Sequence, residues 1–144
     1  MTTAAGKKFF TVQQANQTLP LVRVIVQDIV DLFREVQERR ERVDRIKEAR
    51  GSRRQEENVY SEELEQIEEE IEKDIERLKA FVDELQAIGV EFKDPMIGLV
   101  DFPTRMDGRE AYLCWKLGEG EIGHWHELDG GYKGRRPLNV EQNN

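Results

Sequence analysis

The stretch IGLVDFPTRMDGREAYLCWKLGEGEIGHWHE, residues 97–127, decides how this chain is read. Ile97 to Phe102 is apolar, Asp107-Gly108 is a hairpin turn signal, and Glu110 to Leu117 alternates like a strand; Gly118-Glu119-Gly120 is a second turn, and Glu121 to Glu127 is strand-like again. The pattern predicts a three-stranded antiparallel meander. Pro103 removes a backbone donor from the first strand, which is tolerable only on a sheet edge.

Turn length sets which residues share a face. A two-residue turn at Asp107-Gly108 pairs Met106 with Arg109, and therefore Phe102 with Leu113 and Asp101 with Cys114. A three-residue second loop with Gly120 left-handed pairs Leu117 with Glu121, hence Cys114 with His124 and Tyr112 with His126. Val100, Phe102, Leu113, Trp115, Leu117 and Trp125 then form one apolar face. The other face carries the row Asp101, Cys114, His124, with His126, Tyr112 and Lys116 beside it. A second loop of two or four residues would bury both imidazoles among Trp115 and Leu117, so three is preferred.

That polar row is the chemical candidate. His124 and His126 alternate on a strand and point the same way about 6.5 to 7 Å apart, near enough to share a metal ion. Cys114 and Asp101 complete the expected ligand set His124, His126, Cys114 and Asp101 for a divalent transition metal. Asp101, Cys114 and His124 also have the residue types of a nucleophilic triad, although no oxyanion donor is evident beside Cys114. In the tail, Asp129-Gly130-Gly131-Tyr132-Lys133-Gly134-Arg135-Arg136-Pro137 joins flexible glycines to cations suited to a small anion. The ligand-binding candidates are Arg109, Lys116, Trp125, Arg135 and Arg136. No Gly-rich phosphate loop, HExxH or Cys-x-x-Cys occurs.

Upstream of the meander the period changes. Val22, Ile25, Ile29, Leu32, Val36, Val43 and Ile46 hold one helical stripe, broken at Arg39; Leu64, Ile67, Ile71, Leu78, Phe81, Leu85 and Ile88 hold another, broken at Asp74. The two breaks suit an Arg39–Asp74 pair that fixes register in an antiparallel helical hairpin. Thr11 and Gln14 form a capping box for a short first helix, Pro20 suits the first turn of the long one, Gly51-Ser52 can end it, Ser61 starts the second, and Gly89 follows it. Two helices leave much of each stripe uncovered, so a homodimer forming a four-helix bundle is expected.

The charge follows the same division. The chain of 144 residues has net charge -8, with +1 over residues 1–33, +4 over 34–54, -11 over 55–91 and -2 beyond. A basic arm facing an acidic one neutralises itself, which argues against nucleic acid as the partner. No stretch approaches the roughly 20 apolar residues of a membrane span, and the N-terminus lacks a signal-peptide core, so a cytoplasmic location is expected. One cysteine excludes an intramolecular disulfide.

Several runs together resemble the bacterial domain-of-unknown-function family numbered 2203. They are Phe10-Thr11, Ala15-Asn16 and Leu19-Pro20; Gly98-Leu99-Val100-Asp101-Phe102-Pro103; Leu113-Cys114-Trp115-Lys116-Leu117-Gly118-Glu119; Trp125-His126-Glu127; and Gly134-Arg135-Arg136-Pro137. The resemblance covers nearly the whole chain and implies no established activity; some members carry a cell-division coiled-coil label. Its motif keeps His126 and Glu127 but has an aromatic or variable residue at the position of His124.

The expected fold is therefore α+β in a single domain, 1–144: a helical hairpin with a short N-terminal helix over 11–88, then the meander and Gly/Arg-rich tail over 92–140. The expected function is a non-enzymatic scaffold that self-associates through its helices and recognises a partner or small anionic ligand through its sheet. The alternative is a metal-dependent or acid–base enzyme built on His126, Glu127, Asp101 and Cys114, with His126 the proton carrier.

Overall fold

The capping box at Thr11 forms: the Gln14 amide donates to Thr11 Oγ1 (3.1 Å) and the Thr11 amide to Gln14 Oε1 (3.0 Å). Helix α1 (Val12–Ser52) follows without a break. The computed structural model describes residues 7–52 and 57–138. Instead of a short helix and a long one, Pro20 lies inside a single helix. Its missing amide costs one bond, but Ala15, Leu19, Val22, Ile25, Val26 and Ile29 are all buried across it, and that shared apolar face keeps the helix continuous. Helix α2 (Glu57–Ala87) begins four residues before the expected Ser61. Gly89 closes it at φ +90°, with the Val90 amide donating to the Leu85 carbonyl (2.9 Å).

Among the described residues five antiparallel strands follow, two more than expected: β1 (Glu91–Asp94), β2 (Leu99–Met106), β3 (Arg109–Lys116), β4 (His124–His126) and β5 (Arg136–Pro137), in sheet order β1-β2-β3-β4-β5. The extra pair are edges too short to show a period of two. The central register is the expected one, with Met106 opposite Arg109, Asp101 opposite Cys114, Cys114 opposite His124 and Tyr112 opposite His126. The second loop is different. Both strands stop early, so residues 117–123 lie outside the ladder, and Gly118 (φ +100°), not Gly120, takes the left-handed conformation. Contacts to α1 and β3 hold this wider loop: Asn16 Oδ1 of α1 accepts from the Ile122 amide (2.8 Å), while the Gly120 carbonyl accepts from Trp115 Nε1 of β3 (2.9 Å) and from Arg23 of α1 (3.4 Å).

Pro103 sits in the second strand of the sheet, yet β1 pairs only with Leu99, Val100 and Asp101. At Pro103 itself β2 is an edge. Phe10 docks there: its amide donates to the Pro103 carbonyl (2.7 Å), Thr104 Oγ1 donates to the Phe10 carbonyl (2.5 Å), and its ring meets Phe102 edge-on at 5.3 Å.

Two compact units make up the chain. Met1–Val30 with Phe81–Asn144 holds the sheet and the core of Val100, Phe102, Leu113, Trp115 and Trp125, each buried side chain contributing about 1.5–3 kcal/mol. Asp31–Ala80 holds the remaining helical segments, where Val43, Leu64 and Ile67 are buried together with Ile46 and Ile71 packed against them. Partners run in opposite order: Arg39 meets Glu70 and Asp74, and Arg42 meets Glu63. The two polar breaks thus find each other. Arg39 Nη1 hydrogen-bonds to Asp74 Oδ2, and Arg77 lies 3.4 Å from Asp74 Oδ1.

Candidate functional site

Alternation along β2, β3 and β4 aims Asp101, Cys114 and His126 at the same side of the sheet, opposite the tryptophans. Their donor atoms all lie within 4.8 Å of one another, and all three residues are buried. His126 Nε2 is 3.0 Å from Asp101 Oδ1, and its Nδ1 is 2.6 Å from the Glu127 carbonyl. A carbonyl only accepts, so the hydrogen on Nδ1 is assigned by that contact and Nε2 is left facing the carboxylate. One proton lies on the Nε2–Oδ1 contact, on the ring if Asp101 is ionised and on Asp101 if the ring is neutral. Burial raises the Asp101 carboxyl above its usual range, with the charge and hydrogen bond of His126 pulling it back. Burial, with the Asp101 charge, likewise pushes the Cys114 thiol up to about 11 against the pull of Arg135.

Segments flanking the cluster close over it. The short 3₁₀ turn Tyr132–Gly134 leads into Arg135, whose Nη1 reaches Cys114 Sγ at 4.0 Å and Glu119 Oε1 at 3.1 Å, and whose Nη2 reaches Glu119 Oε2 at 2.6 Å. This forked pair joins the β3–β4 loop to the tail. Burial tends to raise the Glu119 carboxyl, but hydrogen bonds from Arg135 and the Lys116 amide, with the Arg135 charge, hold it below its ordinary value. Tyr112 stacks obliquely on His126 at 5.4 Å, and burial together with the charge of Glu91 pushes its hydroxyl up to about 12.

The expected site residues separate. Asp101, Cys114 and His126 converge, whereas His124 lies outside that cluster, with Nδ1 3.9 Å from Glu119. The twist of the sheet brings the diagonal neighbour, His126, onto Asp101, although the register places His124 in the same row. The five ligand-binding candidates do not form one patch. Arg109 is forked onto Glu127 (2.5 and 3.1 Å); Lys116 and Arg135 share the Tyr132 ring at 5.5 and 4.7 Å; Arg136 lies over the buried Trp125 at 5.3 Å, on the opposite face. Glu119 and Glu127 as partners of those arginines went unread. The available signal was one acid between Gly118 and Gly120, opposite an arginine-bearing tail.

Fold and site define a class: an α+β protein whose antiparallel sheet folds its own loop and tail over a carboxylate, a thiol and an imidazole. The chain belongs to the family described as an uncharacterized conserved protein, DUF2203, which matches residues 8–138. No curated protein and no solved structure matches it. Among the described residues no helix is long and apolar enough to cross a membrane.

Proposed function

We propose that this is a non-enzymatic, cytoplasmic association module: the helices form an antiparallel hairpin that pairs with a second copy, and the sheet presents an arginine-bearing edge to a partner or small anion. The observation that carries the reading is the groove lined by Arg40, Val43, Asp44, Glu68, Ile71 and Glu72. Its lining joins the cation Arg40 and the acids Asp44, Glu68 and Glu72 to Ile71, which packs only partly buried on the buried Val43, so a copy related by a two-fold axis sets Arg40 against the second copy's acids and covers Ile71 at the same time. A pair of helices alone leaves Ile71 partly open to water.

The acid–base alternative has a proton-sharing pair but no access to it. Asp101 is 4%, His126 2% and Cys114 0% exposed, and a general acid or nucleophile must touch its reactant. Light scattering tests the proposal. Wild-type protein at tens of micromolar is expected to have the mass of a dimer, and Ile71→Lys the mass of a monomer with unchanged helix content by circular dichroism. A wild-type monomer at high micromolar concentration refutes it.

A further inference from the structure

We propose that Asp101, Cys114 and His126 bind one transition-metal dication of the zinc class, as a centre that ties β2, β3 and β4 together. Four observations support it. The donors are a carboxylate, a thiol and an imidazole, one from each of three adjacent strands, and this mixed oxygen, sulfur and nitrogen set suits zinc or cobalt rather than magnesium or calcium. Bonds of about 2.0 to 2.3 Å in a tetrahedron put donors roughly 3.3 to 3.6 Å apart. Here the imidazole and carboxylate are 3.0 Å apart and all three donors lie within 4.8 Å, a spacing close to that of a tetrahedral site.

The imidazole is oriented as a metal-bound histidine is. Its Nδ1–H donates to the Glu127 carbonyl at 2.6 Å, which fixes the ring and leaves the Nε2 lone pair aimed into the cluster. The surroundings also balance the charge. A dication with one carboxylate and one thiolate is neutral, and Arg135 beside the sulfur is offset by Glu119. Binding displaces two protons, one from the Cys114 thiol and one from the contact between Asp101 and His126; both leave to solvent, and no redox change is involved. The three side chains supply three of the four tetrahedral positions. Cys114 at this site is a ligand and not a nucleophile, because all three donors are closed off from reactants.

The test uses full-length protein purified without a metal-affinity tag, stripped with a chelator and titrated with cobalt(II). One equivalent is expected to bind with a thiolate-to-cobalt charge-transfer band and the strong visible bands of tetrahedral cobalt, to be displaced by zinc, and to raise the melting temperature. Cys114→Ser is expected to lose the charge-transfer band, His126→Gln to weaken binding at least tenfold, and His124→Ala to leave both band and stoichiometry unchanged. Failure of the wild-type protein to take up cobalt near one equivalent overturns the proposal whatever the variants do. So does a charge-transfer band that survives in Cys114→Ser, or one lost in a folded His124→Ala.

Discussion

Replacing Gly98 with alanine perturbs the point where the turn before β2 meets helix α1. Gly98 has φ +66°, and a Cβ built there lies 2.8 Å from both Leu117 Cβ and Val26 Cγ1 and 3.1 Å from Val30 Cγ2. The left-handed backbone costs alanine about 1–2 kcal/mol. Forcing a methyl group against three packed neighbours costs about 1–3 kcal/mol more, since none is the free end of a long side chain. The expected loss is about 2–5 kcal/mol, a large part of a domain's typical stability of about 5–15 kcal/mol. Gly108 is the control: its φ is +79°, but nothing lies within 4 Å of a Cβ there, so Gly108→Ala keeps the backbone cost and drops the steric one. The gain from a stiffer unfolded chain is common to both and cancels in the comparison. Urea unfolding followed by tryptophan fluorescence reports the right unit, because Trp115 and Trp125 both lie within it. With a slope of about 2 kcal/mol/M, the midpoint falls by roughly 1–2.5 M for Gly98→Ala and about 0.5–1 M for Gly108→Ala. Midpoints within about 0.25 M of each other would refute the close approach of this turn to α1.

Three further outcomes are expected. Glu119 titrates below its ordinary value when folded, so its share of stability is present above about pH 4.5 and is lost as pH falls through the folded value; Glu119→Gln should cost about 2 kcal/mol at pH 7 and little at pH 3 in urea titrations, and equal costs at both would exclude the Arg135 pair as the cause. Asp74→Ala leaves Arg39, whose side chain is only a third exposed, with Glu70 as its remaining partner and should cost about 1–2 kcal/mol in thermal melts followed by circular dichroism, whereas Arg39→Met with Asp74→Leu should recover to within about 1 kcal/mol of wild type. Burial and a thiol near 11 leave about one Cys114 in a thousand ionised at pH 8, so chelator-treated native protein should resist iodoacetamide for hours and react at once in denaturant, as mass spectrometry will show.

The centre of the sheet was legible because Asp107-Gly108 is a two-residue turn, and such a turn fixes register along both strands. The edges were not. Glu91–Asp94 contains one apolar residue and Arg136–Pro137 contains none, so their strand character comes from the neighbours they pair with and not from their own side chains. Pro20 reads locally as a helix start, and only the buried face running from Ala15 to Ile29 overrides that reading. The Arg39–Asp74 pair was legible as two interruptions of otherwise regular stripes. Which histidine meets Asp101 was not, since alternation places both on one face and the choice depends on sheet twist and on a carbonyl that holds one ring.

The seal that Phe10 makes on β2 has a consequence for how the protein is made. Thr104 bonds to a residue 94 positions earlier in the chain, so during synthesis Phe10 is engaged only after both helices and two strands have emerged. Until then the outer half of β2 presents open backbone groups, the template on which chains add to one another. Closing a loop of that length is slow compared with zipping a hairpin, and it makes the nascent sheet most exposed to self-association while the segment around Phe10 waits for its partner.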